Sequence, residues 1–235
     1  MAVLNRPLPS TDLIIKALIR LVLVAPVLGL MLFLPAGRLD WSAAWVWLLT
    51  VLGCVGFNLL VLFKTNPEVL AERVELKRSD QKRDELLTGV VAVFWVSLLV
   101  VAGLDERFNW SPPLPLWLQG VALMMWVLAD LLFLWGRAVN KFFSRAVRIQ
   151  EERGHQVITT GPYRYVRHPG YLAWNLLSLT PPLILGSVWA LIPAVLAVGG
   201  MVLRTAWEDQ LLQQELEGYE AYARRVRYRL LPGVW

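Results

Sequence analysis

Charge is scarce in this chain, and so are the residues that bind metals or form disulfides. Of 235 residues only 17% are charged, two are histidine and one is cysteine. A lone Cys54 excludes an intrachain disulfide and a cysteine-based metal cluster, and it reads as inert packing inside an apolar run. Two histidines argue against a multi-histidine metal site, so no metal is expected. Average soluble domains are about 25% charged and about 45–50% apolar, whereas here 57% of residues are hydrophobic. A water-soluble fold of this length has no interior large enough for that much apolar surface. The expected class is therefore all-α: a polytopic membrane helix bundle.

Twelve tryptophans and a mean hydropathy of +0.51 point the same way. A bilayer core takes about 20 mostly apolar residues per helix, which predicts five or six transmembrane helices. Four cover roughly 12–34, 41–63, 85–104 and 114–135. The apolar region 170–206 is interrupted by Pro181-Pro182 and Gly186-Ser187, so it reads as a tight hairpin of two helices, each barely long enough to span. The first apolar run lacks a small-residue cleavage site and is taken as a retained helix.

The net charge is +5, and its placement matters more than its size. Placing both termini and the loops 64–84 and 136–169 on one side gathers 21 of the 23 Lys and Arg there, leaving Arg38 and Arg107 opposite. By the positive-inside rule both termini are expected in the cytoplasm. Topology and anionic lipid headgroups then account for the basic excess, and no nucleic-acid partner is expected. If the host is bacterial, the location is the inner membrane. The 64–84 loop reads as a charged surface helix opened by Asn66 as cap and Pro67 at its first position.

The densest chemistry lies in "GPYRYVRHPGY", 161–171. Gly161-Pro162 sets a turn, and Pro169 suits the first turn of a helix while biasing His168 away from helical geometry. Backbone N–H groups at that helix start offer an anion or polar-ligand site. Tyr163, Tyr165 and Tyr171 add flat faces with hydroxyl tips, a setting suited to an adenine and its ribose. Farther on, Arg204 and Glu208 share a helix face, with Asp209 beside them. Ionisable groups at the end of a membrane helix are functional candidates, although a structural ion pair also fits. The hairpin is expected to bring this cluster close to the 161–171 string, with the C-terminal tail folded beneath.

These strings, "GPYRYVRHPGY", "RTAWEDQLL" and "YEAYARRVRYRLLPGVW", resemble the isoprenylcysteine carboxyl methyltransferase family, related to the membrane phospholipid N-methyltransferases. The resemblance covers about 140–235 closely and divides the chain into helices over 1–135 and a catalytic region over 136–235. It implies S-adenosylmethionine as cofactor, held at the cytoplasmic face by the 136–171 segment and the tail. The implied cofactor residues are Tyr163, Val166, Arg167, His168, Pro169, Tyr171, Glu208, Asp209, Leu231 and Pro232. Arg204 and Glu208 are the implied catalytic pair. Arg204, Asn140, Asp130, Trp174 and Trp207 form the implied acceptor set, for a lipophilic or small methyl acceptor reached from the bilayer. The family usually has Gly at the place of Ala173 and Glu at that of Asp209. Its eukaryotic prenylcysteine enzymes carry arginine where Asp130 aligns, and an acid facing the cavity would suit an amine, thiol or alcohol better than a carboxylate. The alternatives are a membrane NADPH-dependent reductase of the sterol-reductase type and a non-enzymatic membrane scaffold.

Overall fold

The computed structural model describes residues 11–66, 69, 82–144 and 146–235, with side chains before Val22 described only at Ile19. Among the described residues seven α-helices are delimited: α1 Thr11–Ala36, α2 Ser42–Thr65, α3 Lys82–Phe108, α4 Leu116–Val139, α5 Pro169–Ile184, α6 Leu191–Glu215 and the short α7 Tyr219–Arg225. No strand occurs among the described residues. Among them, α2, α3, α4 and α6 are long and apolar enough to cross a bilayer, and α1 contributes a shorter apolar stretch, Val22–Ala36. The protein is thus a polytopic membrane helix bundle. At about 1.5 Å per residue, the 16-residue α5 is about 24 Å long, short of a bilayer core of about 30 Å.

The six long helices close into a ring, in the order α1, α2, α4, α5, α6, α3 and back to α1. Leu32, Trp47, Leu98, Leu99, Ala102 and Ala194 fill its interior, while Leu30, Leu49, Leu60 and Leu203 face outward toward lipid. At Gly103 the α1 and α3 backbones touch: a Cβ there would lie 2.5 Å from the Leu32 carbonyl oxygen.

The hairpin bends later than the prolines suggest. Pro181 and Pro182 remain inside α5, and the chain turns at Gly186, whose φ of 80° is left-handed. Leu185 N–H donates to the Pro181 carbonyl and Ser187 N–H to that of Pro182, both at 2.8 Å. This satisfies carbonyls that the helix end would leave open. Asp105 at the end of α3 accepts from both the Ser111 and Ser187 hydroxyls, which ties this turn to the neighbouring loop. At the opposite, polar end Asn66 closes α2, and its side-chain amide donates to the Arg137 carbonyl at 2.9 Å. The surface helix expected after it lies outside the described residues, apart from the isolated Val69.

Replacing Gly103 with Leu should force α1 from α3 and cost about 2 kcal/mol, read as a lower melting temperature in detergent. Gly120→Leu, where a Cβ meets nothing within 4 Å, should leave melting nearly unchanged.

Candidate active site

The 161–171 string folds as two joined devices. Gly161, at φ 59°, opens a single 3-10 turn over Gly161–Arg164. The next residues lie beside the tail: Arg167 N–H donates to the Tyr228 carbonyl and His168 N–H to that of Arg229, each at 2.9 Å. His168 then caps α5 with Pro169 at its first position, as Pro favours. The donors expected to be open to a ligand are therefore largely engaged. Those of Arg167 and His168 hold the tail, while Tyr171 and Leu172 bond the His168 carbonyl.

One carboxylate organises this end of the molecule. Asp209 on α6 is fully buried. It accepts from Arg167 Nε at 2.7 Å and Nη2 at 2.8 Å, a two-point pairing. Arg229 Nε and Gln213 Nε2 each add a contact at 2.8 Å, and the Tyr219 hydroxyl donates at 3.0 Å. His168 Nε2 lies 3.1 Å away. The other face of Arg167 donates to the Val226 and Arg227 carbonyls. Burial and the Asp209 charge push the Tyr219 phenol well above its usual range.

Above this knot lies a cavity of about 400 Å³. Its polar wall carries Asn140, Gln150, Tyr163, His168, Tyr171 and Glu208; its apolar wall carries Val91, Ala92, Trp95, Val96, Trp174 and Met201. Asn140 ends α4, donates to the Tyr163 hydroxyl at 3.0 Å and accepts from Phe142 N–H at 2.9 Å. Burial raises the Tyr163 phenol, and the Tyr222 hydroxyl fixes the Tyr163 carbonyl at 2.8 Å. Tyr171 donates to Glu208 and stacks on His168, and Arg204 lies 5.4 Å over its ring. Gly170 is required here, because a Cβ would meet Phe143 at 2.7 Å.

The structure thus brings Asn140, Tyr163, Arg167, His168, Pro169, Tyr171, Trp174, Arg204 and Glu208 to one cavity. Several sequence expectations are corrected by position. Asp130 does not face the cavity: α4 turns it toward α2, where Asn58 Nδ2 contacts both its oxygens at 3.0 Å. Trp207 is off the wall, with the Arg83 guanidinium 5.9 Å over its ring. Val166 is buried behind the wall, and Leu231 and Pro232 are exposed beyond it, because the tail returns through Tyr228 and Arg229 instead. Asp209 stands behind the wall as the anchor of Arg167.

Three contributors escaped the sequence reading. Asp84, counted with a solvated loop, is buried at the head of α3; it accepts from Arg204 Nε at 2.7 Å and Val147 N–H at 3.0 Å. An acid at the first turn of an apolar helix is the available signal. Thr88, Val91, Ala92, Trp95 and Val96 bring α3 to the wall, which apolar periodicity alone does not foretell. Gln150 and His155 close the cavity from the 140–158 segment; Gln150 Nε2 donates to the Phe142 carbonyl at 2.6 Å.

Against known families, residues 116–214 match the model of the isoprenylcysteine carboxyl methyltransferase family. No curated protein matches the chain.

Removing the central charge while keeping its shape, Asp209→Asn, should leave Arg167 and Arg229 short of a buried counter-charge. It should cost about 3 kcal/mol, measured as a lower melting temperature together with protease sensitivity of the 226–235 tail. A pH dependence arises from His155, which burial, then the charges of Arg153 and Arg148, hold down to about 4. The unfolded imidazole titrates near about 6.5, so the folded state binds fewer protons between the two values. Its contribution to stability is complete above about 6.5 and is lost as pH falls toward 4. Melting curves across that window should slope less for His155→Asn than for the wild type.

Proposed function

With residues 116–214 matching the isoprenylcysteine carboxyl methyltransferase family, we propose that this membrane protein transfers a methyl group from S-adenosylmethionine to a lipophilic acceptor. The observation that carries the reading is the two-sided cavity, where the Tyr163–Tyr171 string and Glu208 meet an apolar wall from α3, α5 and α6. A volume of about 400 Å³ lies within the usual range for a cofactor pocket, about 300–1,000 Å³. The donor set also fits. A carboxylate on the wall suits a cationic ligand, and the flat faces of Phe142, Tyr163, Tyr219 and Tyr222 suit a nucleoside.

When bound, the cofactor supplies an electrophilic methyl group on a sulfonium centre. The chain's own task is alignment and exclusion of water. Glu208, fixed by the Tyr171 hydroxyl, holds the cationic portion of the cofactor. Asn140 and Tyr163, locked to each other, border the nucleoside. Arg204, held by Asp84, orients the acceptor, and Trp174 with the α3 face keeps the reacting point dry. The Asp209 network acts one layer behind, fixing the wall that carries Tyr171 and His168. Since the basic residues cluster at this end, we place the cofactor on the cytoplasmic side and the acceptor on the lipid side.

Calorimetric titration of the detergent-purified protein should give saturable S-adenosylmethionine binding, weakened about tenfold or more in Glu208→Gln. Binding of NADPH instead would replace this reading with a reductase; silence toward both would leave a scaffold.

A further inference from the structure

The pairing of charges around the cavity bears on the acceptor's chemistry, given the methyltransferase reading on which this inference rests. Among the described residues, the arginines on the wall each already face a carboxylate. Arg167 faces Asp209 at 2.7 Å, Arg204 faces Asp84 at 2.7 Å, and Arg148 faces Glu152 at 2.6 Å. Glu208, by contrast, takes its hydrogen bond from a neutral phenol, Tyr171. Arg204 lies between Asp84, buried behind it, and Glu208 on the wall, so one guanidinium at this end of the cavity is set against two carboxylates.

We propose that Asp84 determines the acceptor class: by cancelling the Arg204 charge it selects an amine on an apolar tail and rejects a carboxylate. S-adenosylmethionine carries a net charge of about +1 at neutral pH, from two cations and one carboxylate, which Glu208 balances. An acceptor carboxylate would then enter a region of low dielectric with no cation left to compensate it, and burying an unpaired charge is heavily penalised. A thiol or an alcohol enters neutral but becomes the attacking anion only by losing its proton beside these carboxylates, which disfavour a second negative charge. An amine is nucleophilic while neutral. Arriving as an ammonium it is drawn by the carboxylates around Arg204 and loses its proton to solvent. The nitrogen lone pair then forms the N–C bond as the S–C bond breaks with its electrons staying on sulfur, so the positive charge moves from sulfur to nitrogen. The tail has its place in the same helix: Asp84 heads α3, and Thr88, Val91, Ala92, Trp95 and Val96 continue along the cavity wall.

The test uses two probes with one tail and opposite heads, dodecylamine and dodecanoate, at pH 7. Full-length protein in phosphatidylcholine nanodiscs is compared with empty nanodiscs to subtract partitioning. Dodecylamine should bind about tenfold more tightly or better than dodecanoate. Asp84→Asn should shrink that ratio severalfold, and Asp84→Glu should keep it. A purely structural Asp84 would weaken both probes alike and leave the ratio unchanged, which overturns the proposal. Equal binding, or a preference for dodecanoate, in the wild type overturns it without any variant having to fold. With labelled S-adenosylmethionine, label should accumulate in N-methyldodecylamine; a predominance of methyl dodecanoate refutes the amine assignment. Cofactor binding measured in the same samples separates the two levels. If it is lost, the methyltransferase reading falls, while the probe ratio still reports on the wall.

Discussion

Asp209 is the interaction on which the polar end of this bundle depends. It sits within a helix that also lies against lipid, yet it is fully buried and gathers donors from α5's leading segment, from α7 and from the tail. A buried carboxylate with one partner would be a liability. With two arginines, a tyrosine and a glutamine around it, each lone pair is answered and the low dielectric strengthens the set. The consequence is geometric. Arg167 cannot leave Asp209 without also releasing the Val226 and Arg227 carbonyls, so tail and α5 move together or not at all.

That rigidity places the cavity. His168 is held by Asp209 on one side and stacks on Tyr171 on the other, with ring centroids 5.7 Å apart. Tyr171 in turn meets Glu208 one residue before Asp209 on α6. Adjacent residues on a helix point about 100° apart, so Glu208 faces the cavity while Asp209 faces the knot. The neighbouring acids therefore do different work: one anchors, the other remains available to a ligand.

Much of this arrangement was legible in the chain itself. Pro169 and His168 announced the start of α5, the Gly186 region announced the hairpin, and Arg204 and Glu208 stood out as ionisable groups on an apolar helix. What stayed hidden depended on partners distant in sequence. Asp84 looked like part of a solvated charged run, because its carboxylate is matched by an arginine 120 residues later. Asp130 looked like a cavity acid because nothing local says which helix face meets α2 and which meets α5. Leu231 and Pro232 were implied as cofactor neighbours by the family resemblance, and the tail does return to the string. The register of that return, set by the backbone pairing to Tyr228 and Arg229, leaves them outside.

The pairing of Asp84 also changes what Arg204 means. A lone arginine at the end of a membrane helix reads as a receptor for an anion. An arginine whose Nε is held at 2.7 Å by a carboxylate that also fixes Val147 N–H is a positioned, neutralised group. Its influence is directional: it lies 5.4 Å over the ring of Tyr171, whose hydroxyl donates to Glu208. A chain with an excess of basic residues overall thus sets one wall guanidinium against Asp84 behind it and Glu208 beside it. The sign inside the cavity follows not from net charge but from which arginine has already found its acid.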